Sequence, residues 1–140
     1  STCKDPVMFI SAGTGHELVP DELAPAIPAL RSTDGQAGDA VAQVKLFCAS
    51  FTWFLTEADV DPTSEDFGLA FGLVVNGDIA ELGSFHLQEL ASLDHPAPLV
   101  LGVERDFYFT PVPLRDLRTA GEQVPVSSAE FLFRERTARP

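Results

Sequence analysis

Apolar and polar positions alternate most clearly in the middle of the chain. From Val41 to Cys48, one side of an extended run carries Ala42, Val44, Leu46 and Cys48, because successive side chains of a strand point to opposite faces. From Phe51 to Glu57, Phe51, Trp53 and Leu55 share a face in the same way. These two runs predict a hairpin. Phe67 to Val75 and Asp78 to Phe85 form a second pair around Asn76-Gly77, the preferred dipeptide of a two-residue type I′ turn. With that turn, Leu73 opposes Ala80, Phe71 opposes Leu82 and Gly72 opposes Glu81. One face then carries Phe67, Leu69, Phe71, Leu73, Val75 and Leu82, a core face. The other carries Ala70, Gly72, Val74, Gly83 and Phe85 around Glu81. Small residues there leave room for a second element or a ligand to approach the backbone.

Helical signals are short. Leu87, Leu90 and Leu93 stand at helical spacing, and Asp94 to Pro98 ends that run. A candidate from Asp21 to Leu30 is limited to a turn or two by Pro25 and Pro28. Residues 99–103 and 106–109 read as extended, Pro113 suits the start of a small helix through Leu117, and Glu130 to Arg134 suits an edge strand or short helix. The pattern predicts an α+β fold: a curved antiparallel β-sheet of four to six strands with short helices packed on one side. Residues 1–40 read as an N-terminal extension with a short strand, Val7 to Ile10, and a short helix. Residues 41–118 form the body and 119–140 a C-terminal segment, all within one compact domain.

Composition fits that picture. Of 140 residues, 45% are apolar and eleven are Phe, enough for a core without a metal or disulfide scaffold. No apolar run approaches the length of a membrane span, and no signal peptide is expected. Cys3 and Cys48 match no metal spacing. Cys48 lies in an apolar alternation and reads as a buried thiol, so a reducing cytoplasm is the expected compartment.

Charge changes the picture more. The net charge is −12, and up to Glu104 sixteen acidic residues stand against Lys4, Arg31 and Lys45. From Arg105 onward six basic residues meet five acidic ones. Such an acidic body repels nucleic acid. No direct nucleic-acid binding is expected; a protein partner with a basic surface is.

Catalytic motifs fail on spacing. Gly13-Thr14-Gly15 has Leu18 at the third glycine position and no following Lys-Ser or Lys-Thr. Asp59, Asp61, Glu65 and Asp66 crowd one loop like half a calcium site. Ser64 replaces its required Gly, and Ala70 its bidentate Glu. His16, His86 and His95 show no metal spacing. No cofactor is expected. The four loop acids are the candidate partner surface. A candidate recess combines Trp53, Glu57, Glu81 and Arg105, the last within Glu104-Arg105-Asp106, where an Arg next to carboxylates can bind a ligand or fix strand docking.

Seven segments then occur in a telling order: Val44-Lys45-Leu46-Phe47, Thr52-Trp53-Phe54, Phe71-Gly72-Leu73-Val74, Glu81-Leu82-Gly83-Ser84-Phe85, Leu90, Glu104-Arg105-Asp106-Phe107-Tyr108-Phe109 and Pro111-Val112-Pro113-Leu114. Together they resemble the bacterial family catalogued as domain of unknown function 2958, over about Val41 to Leu117. The resemblance implies a home on plasmids, phages or other mobile elements, and implies no activity. His86 departs from it, standing where the family tends to have a Ser that opens a capping box with Glu89. The acidic loop is longer than the resemblance leads one to expect, and the first forty residues lie outside it. Local specialisation is expected in those two regions. The expected function is that of a non-enzymatic acidic binding protein, of the kind that inhibits a restriction or CRISPR system. The alternative is a small-ligand domain or an enzyme using Trp53, Glu57, Glu81 and Arg105.

Overall fold

The computed structural model describes residues 18–91, 103–125 and 130–133. The expectations for Cys3, Val7 to Ile10, Gly13-Thr14-Gly15, His16 and His95 lie outside them. So does the strand expected over 99–103, apart from its last residue. Within the described residues the chain is mostly antiparallel sheet. The strands are β1 (Val41–Ala42), β2 (Val44–Cys48), β3 (Phe51–Ala58), β4 (Leu69–Asn76), β5 (Ile79–His86), β6 (Glu104–Arg105) and β7 (Val112–Pro113), and a short helix, α1 (Leu87–Ala91), follows β5. Five of them form a sheet in the order β5-β4-β3-β2-β6, and β1 pairs with β7 in a two-stranded ribbon.

The first expected hairpin is present, with Cys48 opposite Phe51 and Leu46 opposite Trp53. The single run from Val41 to Cys48, however, is two strands. Gln43 donates its N–H to the Leu55 carbonyl at 2.7 Å, and the alternation breaks there. Ala42 enters one core while Val44 and Leu46 enter the other.

The second hairpin keeps its faces but not its register. Asn76 opposes Ile79, Val74 opposes Glu81, Leu73 opposes Leu82 and Phe71 opposes Ser84. The turn residues are Gly77 and Asp78, one position later than expected. Gly77 has φ +61 and Asp78 does not share the positive sign, the pattern of a type II′ turn with Gly first. Asn76 stays in the ladder because it pairs with Phe51 on the neighbouring strand and its side chain accepts the Ser50 hydroxyl at 2.8 Å. The register differs by two residues, so the side chains within β4 and β5 keep their predicted faces, whereas Phe67 precedes β4 and packs against the first core instead of joining Leu73 and Val75.

Both faces of the sheet are covered. Val44, Leu46, Trp53, Leu55 and Ala70 pack with Leu18, Val19, Ile27, Leu87 and Leu90 on one side. Phe54, Leu73, Val75 and Ala80 pack with Leu114, Leu117, Val124 and Leu132 on the other. Short helical elements therefore stand on both faces, not one: α1 and the 3-10 turn Ala24–Ala26 on the first, the 3-10 turns Leu114–Asp116 and Glu130–Phe133 on the second. Neighbouring residues such as Trp53 and Phe54 feed opposite cores because β3 is a central strand. Glu104-Arg105 is a strand, but Asp106 to Phe109 is a turn rather than the expected extended run.

His86 caps α1 after all. Its Nδ1 accepts the Gln88 N–H at 3.2 Å, a bond that a serine oxygen makes in the usual cap. Replacing His86 by Ala is expected to lower stability by about 1 kcal/mol, the typical cost of removing an N-cap. Chemical denaturation of the two proteins checks it.

Candidate functional site

A β-bulge helps to shape one cleft. Leu55 opposes Gly72, but the next pair is Glu57 with Phe71, so Thr56 is the extra residue. A bulge of this kind re-aims the side chains that follow it. Glu57 thus leaves the Trp53 face and joins the Phe71 face. It is only 3% exposed. Its carboxylate accepts the N–H of Arg31, the N–H of Thr33 at 3.1 Å and the Thr33 hydroxyl. Arg31 sits at φ +70, a conformation that side-chain-bearing residues adopt at a cost. The buried carboxylate holds the chain in it.

The loop fixed in this way forms one wall of a cleft of about 660 Å³. Ile27, Leu30, Arg31 and Asp34 line the cleft together with Glu57, Asp59, Asp61 and Asp66. Leu69, Phe71 and Ser84 of the second hairpin also line it. The acidic loop is locally ordered. Asp59 accepts the Asp61 N–H at 2.9 Å and the Ser64 hydroxyl, and Asp61 accepts the Thr63 N–H at 2.9 Å and hydroxyl at 2.7 Å. The two bonds from Thr63, backbone first, hold the Asp61 pKa below its ordinary 3.8. That contribution to stability is present above the unfolded value and is lost as pH falls through the lower folded one. Asp59 and Asp61 therefore shape the loop, while Glu65 and Asp66 are exposed beside it. Among the described residues no three His, Cys, Asp or Glu side chains are placed to hold a metal ion.

The four residues of the expected recess are not brought together. Trp53 is buried in the first core, its ring stacked on Phe51 at 5.4 Å. Glu57 holds the Arg31–Thr33 loop. Glu81 is exposed on β5, at one edge of the sheet, and Arg105 lies on β6 at the other. Cys48 is half-buried beside the first core rather than enclosed in it. The small-residue face expected to form a recess is occupied at Ala70 by the first core. Gly72 on that face meets β3 so closely that a Cβ would stand 2.0 Å from the Phe54 carbonyl oxygen. The open space lies on the other face, at Leu69, Phe71 and Ser84.

A second cleft, of about 570 Å³, lies where β2 meets β6. Lys45 sits in it between Glu122 at 2.7 Å and Asp106 at 3.6 Å. Thr52, Phe54, Glu104, Arg105, Phe107 and Tyr108 complete much of the wall. Sequence reasoning singled out Arg105 here but missed the Lys45–Glu122 pair, whose partners are 77 positions apart. Most of these residues belong to the strings that carry the family resemblance. A family model, Protein of unknown function (DUF2958), matches residues 18–120.

The chain belongs to the DUF2958 family.

The match reaches further towards the N-terminus than the strings from Val41 onward indicated, so residues 18–40, with the Arg31–Asp34 wall, lie inside the DUF2958 region. No curated protein and no solved structure matches the chain significantly. No described helix is long and apolar enough to cross a membrane.

Proposed function

We propose that this DUF2958 protein is a non-enzymatic binding protein whose acidic cleft receives a basic segment of a protein partner. The single observation that carries this reading is the composition of the cleft. Asp34, Asp59, Asp61 and Asp66 line one concave space in which Arg31 is the only basic residue among the described ones, and Leu69 and Phe71 line the same space. A Lys or Arg side chain has the matching chemistry, an alkyl stem for apolar surface and a cationic head for carboxylates. The long-range field adds to it, since the sixteen acids up to Glu104 are interrupted by only three bases.

Proteins that grip nucleic acid present such basic segments. A mobile-element inhibitor of restriction or CRISPR machinery acting in the cytoplasm is the specific form of this proposal. The separation of Trp53, Glu57, Glu81 and Arg105 favours binding over a ligand or enzyme site built from those four.

The experiment is affinity capture from the native host, with wild type and an Asp34→Asn, Glu65→Gln, Asp66→Asn variant as parallel baits. Asp59 and Asp61 are left intact because they hold the loop. A basic nucleic-acid-handling protein enriched by wild type and lost with the variant supports the reading. Equal recovery by both baits contradicts it.

A further inference from the structure

The second cleft and the turn beside it form a surface of a different kind. Tyr108 is 94% exposed and Phe107 55%. The turn that carries them is held from within: Asp106 Oδ1 accepts the Tyr108 N–H at 2.8 Å, and the Asp106 carbonyl accepts the Phe109 N–H at 3.3 Å. The Arg105 guanidinium lies 4.6 Å over the Phe107 ring. Tyr108 is thus a large amphipathic ring on a pre-organised turn, the type of residue that anchors protein interfaces at low entropic cost. Next to this knob is a hole. The cleft of about 570 Å³ is walled by Phe47, Phe54 and Phe107, and its Thr52 and Gln123 offer polar atoms to a phenol hydroxyl.

A knob and a hole side by side on one face are what a two-fold axis requires, because each copy then inserts the residue that the other receives. Charge points to the same occupant. Two copies at −12 each repel over most of their surfaces, and the acidic cleft is the worst place for them to meet. Around Tyr108, by contrast, Lys45 and Arg105 stand among Glu104, Asp106 and Glu122. Because Lys45 is already paired with Glu122 and Asp106, two copies can meet at this mixed patch with far less of that repulsion. We infer that the Tyr108 face is the interface of a symmetric homodimer, with Tyr108 of each copy seated in the Lys45 cleft of the other. This inference is independent of the acidic-cleft reading.

The test is sedimentation velocity of the full chain over a wide concentration range. Salt is held at about 0.15 M, where exposed charges are screened beyond about 8 Å. Wild type is expected to pass from monomer to dimer with concentration. Tyr108→Ala is expected to raise the dimer dissociation constant roughly thirtyfold, the loss of a central tyrosine anchor. Phe131→Ala, which removes a different exposed ring, is expected to dimerise like wild type. Tyr108 is almost wholly exposed, so the variant keeps its fold, which circular dichroism verifies. Wild type that stays monomeric throughout, or a Tyr108→Ala protein that dimerises as wild type does, overturns the inference.

Discussion

Replacing Gly72 by Ala is expected to lower the stability of the fold by about 3 kcal/mol, or about 10 °C in melting temperature for a chain of this size. Gly72 lies on β4 at the point where β3 bulges. An added Cβ would stand 2.0 Å from the Phe54 carbonyl oxygen and 3.0 Å from the Leu55 Cα. Both atoms belong to the backbone of a central strand, so no flexible side-chain end can move aside. Separating the strands would disturb the β3–β4 ladder on both sides of the bulge and, through Phe54 and Leu55, both cores. Gly83 opposite it on β5 is the control. A Cβ there meets nothing within 4 Å, and Gly83→Ala is expected to change stability by no more than about 0.5 kcal/mol. Thermal melts of the two variants check the contrast. Equal losses would show that the close approach at Gly72 is not what limits the site.

The second large effect is expected at Glu57. Its truncation to Ala strips the acceptor from two backbone N–H groups and one hydroxyl in the Arg31–Thr33 loop. A charged acceptor makes stronger bonds than a neutral one, and donors left without it carry a desolvation penalty. The expected loss is about 2 to 3 kcal/mol, less than full burial of the donors would cause, since Arg31 is exposed and water can reach it. Glu57→Gln keeps an oxygen acceptor and is expected to lose about half as much. The effect is also local. Arg31 at positive φ loses the contact that holds it, so the cleft wall opens. Hydrogen exchange at Arg31 and Thr33 is expected to accelerate in both variants while the β3–β4 ladder in the Gln variant stays protected. Unchanged exchange at those two amides would refute the anchoring role.

These two residues also mark what a linear reading reaches. Alternation showed the four longer strands, β2 to β5, and most of the faces their side chains share, because a period of two survives burial on either side; the two-residue strands β1, β6 and β7 are too short to carry it. It could not show Thr56 as a bulge, since one extra residue leaves no compositional trace, and Glu57 therefore changed faces unannounced. The Asn76-Gly77 pair marked the hairpin. Its register depended on a bond from Ser50 in the neighbouring turn, a tertiary contact beyond local turn chemistry. Gln43 hid the division between β1 and β2 for the same reason. The acidic loop was legible as a run of carboxylates. Its position against the Arg31–Asp34 wall was not, because the anchor joins a side chain to backbone N–H groups, which every residue but proline has. The Lys45–Glu122 pair links distant segments and has no spacing signature. The recess assembled from Trp53, Glu57, Glu81 and Arg105 failed as a unit because β5 and β6 are opposite edges of the sheet.

The central proposal is the acidic cleft as a receptor for a basic protein segment. The most direct measurement is association kinetics between this chain and the protein recovered by capture, at low and at elevated salt. The Asp34→Asn, Glu65→Gln, Asp66→Asn variant is run beside wild type. Attraction between opposite charges acts mainly on encounter. The on-rate of the variant is expected to be at least about tenfold lower at low salt, the gap to narrow as salt screens both proteins, and DNA or RNA to compete for the partner. An unchanged on-rate for the variant, with no competition from nucleic acid, would contradict that proposal and leave the acidity as a solubility feature of the surface.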